Sequence, residues 1–170
     1  MDDIFGPITQ LGFLTDNIEE TAEAWTKTRG VGPWTKMPNV TMEAVMDGAP
    51  VQLNIDVALT YQGDVQIELI RPICDSPSPY LANKIAGIWG AHHIQYETDD
   101  MAKSLEIARD AGLELACTIE QGDSIYTYLR GPMGWTELMQ AGSGVKALFQ
   151  MIKAKSVGWD GKETISDFGL

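Results

Sequence analysis

The interpretation of this sequence starts from two nine-residue stretches, QLGFLTDNI at residues 10–18 and HIQYETDDM at residues 93–101. In both stretches a Thr-Asp pair ends six positions after the first residue, as Thr15-Asp16 and as Thr98-Asp99. The residues before each pair predict a strand, and the residues after it predict a helix that the pair caps. The two halves of the chain therefore begin with the same strand–helix unit.

The rest of each half also follows one order. A single carboxylate lies in an apolar strand late in each half, Glu68 in Ile67-Glu68-Leu69-Ile70 and Glu137 in Thr136-Glu137-Leu138-Met139. Strands are predicted at residues 8–14, 51–60, 65–70, 93–97, 113–120, 125–130 and 135–140, and helices at residues 18–29, 101–111 and 145–155. The pattern predicts an α+β protein built from two tandem βαβββ modules with a C-terminal helix.

The strongest loop signal in the chain is Asp75-Ser76-Pro77-Ser78-Pro79, close to its midpoint. We place the first module at residues 1–75 and a linker at residues 76–90. The second module then covers residues 91–141, and the C-terminal helix and tail cover residues 142–170.

Composition excludes several classes of function. The chain has 170 residues, with 12 Lys plus Arg against 24 Asp plus Glu and a net charge of −12, which argues against nucleic acid and anionic membrane surfaces as partners. No apolar run is long enough to span a membrane, and no secretory signal is visible. Cys74 and Cys117 stand far apart, which argues against a cysteine-based zinc site or a disulfide framework. These features predict a cytoplasmic protein.

The repeat predicts a metal site between the modules. Equivalent positions of two modules related by a pseudo-twofold axis converge on one place, and here these positions hold Gln10, Glu68, His93 and Glu137. One imidazole nitrogen, two carboxylates and an amide oxygen suit one divalent ion of Zn, Ni, Co, Mn or Fe(II), rather than soft copper.

Each of these residues also has a plain structural interpretation. Glu68 and Glu137 can face water from edge strands, and Gln10 can be an ordinary polar strand residue. A lone strand histidine is more often hydrogen-bonded structure than a metal ligand. Neighbours in a strand point to opposite faces, so at most one of His92 and His93 is expected to reach the interior. The spacing to the following Thr-Asp pair favours His93.

At these residues the chain resembles the vicinal oxygen chelate superfamily, which includes glyoxalases, bleomycin resistance proteins and extradiol dioxygenases. The resemblance covers residues 7–141 and implies paired βαβββ modules that curl into an open barrel around one metal, with His93 among the ligands. It is carried by four segments: Ile8-Thr9-Gln10 with Asp16-Asn17-Ile18, residues 65–72, Ala91-His92-His93-Ile94 with Asp99-Asp100, and Trp135-Thr136-Glu137-Leu138.

The ligand order Gln, Glu, His, Glu resembles that of zinc-type glyoxalase I, whereas Gly90-Ala91-His92-His93-Ile94 is similar to a motif of methylmalonyl-CoA epimerase. The sequence departs from both. Leu14 and Pro72 stand where glyoxalase I has an Arg and an Asn, and Gln10 stands where the epimerase has His. Neither glutathione nor coenzyme A is therefore implied as the thiol carrier.

Strand alternation also predicts a substrate pocket, because residues two positions from an inward-facing ligand face inward too. The predicted substrate-binding residues are Leu14, Gln66, Ile70, Gln95, Trp135 and Met139. This lining is mostly apolar and holds no Arg or Lys, which favours a largely apolar small molecule over a phosphate ester.

The expected activity is that of a metal-dependent, glyoxalase-like isomerase, epimerase or lyase acting on a small carbonyl compound. In this hypothesis Glu68 and Glu137 are the catalytic residues. One of these two carboxylates removes a proton from the substrate to give a metal-stabilised enolate. One alternative is a protein of the same fold that sequesters a small molecule without catalysis, and another is an Fe(II) oxygenase in which Gln10 replaces a second His. The family resemblance also implies a homodimer.

Overall fold

The computed structural model describes residues 3–169, so residues 1–2 of the predicted first module and residue 170 of the predicted tail lie outside it. The chain folds into nine strands and four helices over the described residues, and the bounds are as follows: β1 Ile8–Leu14, α1 Ile18–Arg29, β2 Trp34–Met46, β3 Ala49–Gln62, β4 Val65–Pro72, α2 Leu81–Ala86, β5 Gly90–Glu97, α3 Met101–Asp110, β6 Glu114–Gln121, β7 Ser124–Gly131, β8 Gly134–Gln140, α4 Ser143–Ser156 and β9 Ile165–Asp167.

The two Thr-Asp pairs of the repeat occupy equivalent positions, although each helix is capped one residue later than predicted. Asn17 accepts a hydrogen bond from the backbone N–H of Glu20 at the start of α1, and Asp100 caps α3 by the same i+3 geometry. The threonines make equivalent contacts: Thr15 Oγ1 lies 2.7 Å from Thr21 Oγ1, and in the second half Thr98 Oγ1 lies 2.7 Å from Ser104 Oγ. The sequence repeat is therefore also a repeat of local structure.

The sheet brings the two modules together along their first strands. In both modules the first strand pairs in parallel with the last, as β1 with β4 and β5 with β8, and β1 pairs antiparallel with β5. The full order is β3-β4-β1-β5-β8-β7-β6-β2-β9, and β2 also pairs with β3. The sheet therefore curls round on itself, and the predicted α+β fold of two βαβββ modules is confirmed. The boundaries assigned to the modules stay a prediction.

The strand β2 was missing from the sequence prediction. Pro38 and Asn39 interrupt it, Asn39 adopts a positive φ of 53°, and the register with β3 shifts between Met37 and Val40. The sequence of such a bulge resembles that of a turn, because proline has no N–H to donate to a neighbouring strand and a positive φ is typical of loops. The buried carboxylate of Asp56 on β3 accepts a 2.8 Å hydrogen bond from the Asn39 N–H, which anchors the bulge.

Two further elements were also missed, the short helix α2 inside the predicted linker and the edge strand β9 in the predicted tail. β9 pairs in parallel with the start of β2.

Helices α1 and α3 cover the outside of the sheet, whereas α4 packs on its inner side. Ile18 and Ala22 of α1 pack against Trp34, and α3 packs its own small cluster against β7 and β8. Ile152 of α4 is fully buried in the cluster that fills the interior of the curled sheet. Within residues 3–169, no helix has both the length and the apolar character that a membrane crossing requires.

Candidate metal centre and substrate cavity

The four predicted ligands lie on the four neighbouring strands at the centre of the sheet. Glu68 belongs to β4, Gln10 to β1, His93 to β5 and Glu137 to β8, in the order in which these strands pair. Strand register aligns them: Gly12 pairs with both Glu68 and His93, and Gln95 pairs with Glu137. The pseudo-twofold pairing of the modules therefore brings all four side chains to one place.

His93 lies at the centre of this group. Its Nε2 atom is 3.0 Å from Gln10 Oε1, 3.1 Å from Glu137 Oε2 and 3.4 Å from Glu68 Oε2. One ligand atom each from Glu68, His93 and Glu137 lies within 4.8 Å of the others, which is a cluster that could hold a metal ion.

The electrostatics of the cluster favour a positive charge among its members. Burial raises the pKa of Glu137 to about 7; the nearby charge of Glu68 adds to this increase, while His93 opposes it. Burial by itself would lower the pKa of His93, but Glu137 and Glu68 outweigh that effect and the pKa is raised. The two carboxylates are thus held close together, and either a proton on Glu137 or a nearby cation relieves the repulsion between them.

One buried oxygen of the cluster has an unused acceptor capacity. Glu137 Oε2 is buried and accepts no hydrogen bond, although it lies close to His93 Nε2, because that nitrogen is directed at Gln10 Oε1 instead. An unpartnered buried carboxylate oxygen is costly unless a cation satisfies it. With nitrogen and oxygen donors only, the set fits a borderline or hard divalent ion.

Gly12 makes room for the His93 ring. A Cβ atom added at Gly12 would lie 2.0 Å from His93 Cε1, 2.3 Å from Nδ1 and 2.4 Å from Nε2. The ring therefore lies directly across the β1 backbone, and glycine at this position is needed for the observed site.

Gln10 is itself held by a chain of amides. Its Nε2 donates to Gln66 Oε1 at 2.6 Å, and Gln66 Nε2 donates to the Tyr61 hydroxyl at 3.0 Å. Gln10 and Gln66 are both buried and are register partners on β1 and β4. This chain turns the amide oxygen of Gln10 towards His93 and the two carboxylates.

The two histidines of the predicted motif lie closer together than strand alternation allows. Gly12 pairs with His93 and Phe13 pairs with Ala91, so His92 is an extra, bulged residue of β5. A bulge redirects side chains locally, and here His92 Nδ1 lies 3.1 Å from His93 Nδ1. Of the two, His93 is the member of the cluster that could hold a metal ion, and His92 contacts its ring on the Nδ1 side. Burial lowers the pKa of His92 to about 4, and the neighbouring His93 adds to the decrease.

A cavity of about 490 Å³ opens directly above the cluster. Gln10, Glu68 and Glu137 form its polar floor, and apolar side chains of β2 and β3 form much of its wall. Its remaining lining residues include Tyr80, Gln95, Ile119, Gln121, Tyr126, Tyr128, Gly144, Val145, Leu148, Phe149 and Phe168. Among the described lining residues, none is Lys or Arg.

Two tyrosines border the cluster on the side of the linker and β7. The Tyr80 and Tyr128 hydroxyls lie 2.9 Å apart in a hydrogen bond, and both side chains are buried. Burial raises the pKa of both phenols well above the ordinary value, so both remain neutral and available as hydrogen-bond groups.

The predicted substrate-binding residues are spread over several environments. Gln95 lines the 490 Å³ cavity. Gln66 and Met139 line a separate pocket of about 300 Å³ on the side of α4, which Gln95 also touches. Leu14 and Ile70 are buried in the core, and Trp135 packs against that core.

Sequence reasoning missed much of the wall of the larger cavity. Tyr126 and Tyr128 could have been found by applying strand alternation to β7, as was done for the ligand strands. Met37, Val40 and Met42 could not, because they lie on the unpredicted strand β2.

The family model described as "Glyoxalase/Bleomycin resistance protein/Dioxygenase superfamily" matches residues 9–128. The chain belongs to this superfamily. The resemblance inferred from the sequence is confirmed, since this is the vicinal oxygen chelate superfamily. A search of curated protein sequences gives no match.

Solved structures of the same fold include methylmalonyl-CoA epimerases. The enzyme from Streptomyces coelicolor, in complex with 2-nitronate-propionyl-CoA, is 19% identical, with a TM-score of 0.58 over 81% of this chain and 95% of that chain. The enzyme from Mycobacterium tuberculosis is 13% identical, with a TM-score of 0.58 over 86% and 95%. A hypothetical protein from Bacillus halodurans is 13% identical, with a TM-score of 0.58 over 81% and 95%. At these identities the likeness shows the fold.

Proposed function

We propose that the protein is a metal-dependent isomerase, epimerase or lyase that acts on a small carbonyl compound by forming an enolate. The observation that carries this proposal is the convergence of Gln10, Glu68 and Glu137, which line the floor of a cavity, on Nε2 of the buried His93, with the buried Glu137 Oε2 lacking a hydrogen-bond partner. These four residues would hold one divalent ion of Zn, Ni, Co, Mn or Fe(II). When bound, such an ion supplies Lewis-acid stabilisation of the developing enolate charge.

The two carboxylates would move the proton. Glu68 is the more accessible, with a side chain 14% exposed against 4% for Glu137, and both line the cavity from opposite modules. We assign proton removal to Glu68 and proton return or leaving-group protonation to Glu137, because the two approach a bound substrate from different strands. Exclusion of water by the apolar walls would strengthen these charge interactions.

The cavity supports a substrate class different from that of the epimerases of known structure. Solved epimerase structures hold 2-nitronate-propionyl-CoA or methylmalonyl-CoA, and such CoA esters carry several anionic phosphates. Here the lining residues that the structure describes include no Lys or Arg, so the cavity walls would offer the phosphates no counter-charge. We therefore propose an uncharged, largely apolar carbonyl compound that fits within about 490 Å³.

The apolar wall also favours a second candidate, a protein that sequesters a small apolar molecule without turnover. This candidate uses the same cavity, with any metal in a structural role. For either function we propose a homodimer, as in the family resemblance, and a cytoplasmic location, which the two free cysteines support.

Solvent-deuterium exchange distinguishes the two candidates. We would incubate zinc-, nickel-, cobalt- or manganese-loaded protein in D2O with uncharged enolisable ketones and α-hydroxyketones, and follow loss of the α-proton by NMR. The enzyme should exchange the proton, and both chelation and Glu68→Gln should abolish exchange. Glu120→Gln, the same substitution at an exposed position of β6, should leave exchange unchanged. Ligand binding that survives chelation, with no exchange under any metal, would instead support sequestration.

A further inference from the structure

His92, next to the candidate ligand His93, takes no part in the proposed chemistry but has a specific set of partners. Its Nε2 atom lies 3.0 Å from the backbone oxygen of Pro79, and its Nδ1 atom lies 3.1 Å from His93 Nδ1. The ring is held between Tyr80, whose ring centroid is 5.4 Å away, and Trp135, which stacks on it at 6.2 Å.

The direction of these hydrogen bonds follows from the carbonyl at one end. A carbonyl oxygen can only accept, so His92 Nε2 must carry the hydrogen that points at Pro79. In a neutral imidazole with hydrogen on Nε2, the Nδ1 atom is an acceptor. His93 Nδ1 must then donate to it, which makes His93 a ring with hydrogen on Nδ1.

This order leaves Nε2 of His93 as the atom that faces the other ligands. The same Nε2 is the atom close to Gln10 Oε1, Glu68 Oε2 and Glu137 Oε2. The proton on Nε2 in the metal-free site, donated to Gln10, is the one that a metal ion replaces. A neutral His92 and the proposed metal site thus both require a hydrogen on His92 Nε2 and a hydrogen on His93 Nδ1.

We infer that His92 is a positioning residue which, with the Pro79 carbonyl, holds His93 in the tautomer that presents Nε2 to the metal. The inference rests on the proposed role of His93 as a ligand. Partners of this kind fix the tautomer and ring orientation of metal-binding histidines, and their loss typically lowers metal affinity about 10- to 100-fold. The bulge of β5 and the linker before it would then both serve the metal site, because they supply the ring and the carbonyl.

Two substitutions separate this role from packing. His92→Phe keeps a ring between Tyr80 and Trp135 but cannot accept a hydrogen bond, so we expect zinc affinity to fall about 10- to 100-fold. His92→Asn loses the ring but can place an amide oxygen where Nδ1 lies, and we expect it to restore most of the affinity that the Phe variant loses. A residue that serves only packing predicts the opposite order.

Ring tautomers can be read directly, because the chain has 2 histidines and both belong to this pair. Long-range ¹H–¹⁵N NMR spectra of the zinc-loaded parent should show His92 protonated at Nε2 and His93 protonated at Nδ1. In the metal-free parent, His92 should keep the same tautomer. His92 protonated at Nδ1 in either state would overturn the inference, whether or not the variants fold.

Zinc titration of the same samples separates this inference from the proposed function. A parent that binds zinc, together with a folded His92→Phe variant that binds it equally well, overturns the inference and leaves the proposed function standing. A parent that binds no zinc, nickel, cobalt or manganese overturns the proposed function, and the inference fails with it.

Discussion

Gly12→Ala should abolish the metal site without unfolding the protein. The added Cβ would lie 2.0, 2.3 and 2.4 Å from three atoms of the His93 ring. Ordinary contact between such atoms is about 3.5 Å, so the ring must move by roughly 1.5 Å. Metal–ligand distances tolerate deviations of about 0.2 Å, so a displacement of this size removes His93 from the ligand set. The general cost of such overpacking is about 1–3 kcal/mol in the free energy of unfolding.

Zinc binding measured by competition with a chromophoric chelator tests this prediction. We expect affinity to fall more than 100-fold in Gly12→Ala, whereas circular dichroism and urea unfolding report a folded protein. Gly131→Ala is the matched control, because its new Cβ would meet the flexible end of Leu113, 2.5 Å away, rather than a ligand ring. Parent-like zinc affinity in a folded Gly12→Ala variant would refute the assignment of His93 as a ligand across β1.

Three further predictions test the surroundings of the site. Gln66→Leu removes the group that orients Gln10, so zinc affinity should fall about 10-fold in the same competition assay, and unchanged affinity would contradict the role of the amide chain. Phe168 forms part of the cavity wall and is 50% exposed, so Phe168→Ala removes only part of the apolar contact with a ligand. Affinity for an apolar carbonyl ligand, measured by calorimetry, should therefore fall about fivefold, while zinc binding stays unchanged. Burial alone would raise the pKa of Asp56, but hydrogen bonds from the Asn39 N–H and from Arg71 outweigh it and hold the pKa below the ordinary value of 3.8. The resulting stability is present above pH 4 and is lost as the carboxylate protonates in acid, so Asp56→Asn should cost about 1–3 kcal/mol in urea unfolding at pH 7 and progressively less below pH 4. A cost that stays constant down to pH 2 would contradict this account of Asp56.

The fold was predictable because it is repeated. The strand–cap–helix stretches at residues 10–18 and 93–101, followed in each half by a Glu-Leu strand, contain enough local information to predict two βαβββ modules. Strand β2 could not be predicted in the same way, since Pro38 and the positive φ of Asn39 resemble a turn when read locally. Its continuity depends on the buried carboxylate of Asp56, a contact between residues 17 positions apart.

The candidate ligands could also be predicted, because equivalent positions of a repeat converge whatever the details of packing. The surroundings of the ligands could not. Strand alternation predicts that at most one of His92 and His93 reaches the interior, but the bulge of β5 that brings their rings into contact has no clear local signal. The substrate-binding role of Gln66 stays a prediction, but its hydrogen bond from Gln10 was not foreseen, since it depends on two inward-facing amides that lie on paired strands.

The larger cavity depended on elements that sequence patterns could not assign to it. Its walls include residues of β2, of helix α4 and of the tail, among them Met42, Leu148 and Phe168. The apolar face of α4 was visible in the sequence, but its partner was not, since periodicity identifies a buried face without identifying what covers it. Here that face lies on the interior of the curled sheet.

The central claim is that Glu68, His93, Glu137 and Gln10 bind one divalent ion, and metal stoichiometry tests it most directly. Elemental analysis of the reloaded parent should give about one equivalent, and the Glu68→Gln/Glu137→Gln double variant should give little. At free zinc 100 times the dissociation constant, binding should stabilise the parent by about 2.7 kcal/mol, which raises the unfolding midpoint by about 5–10 °C. Absence of metal and of any midpoint shift in the parent, with Zn, Ni, Co or Mn, would contradict the account.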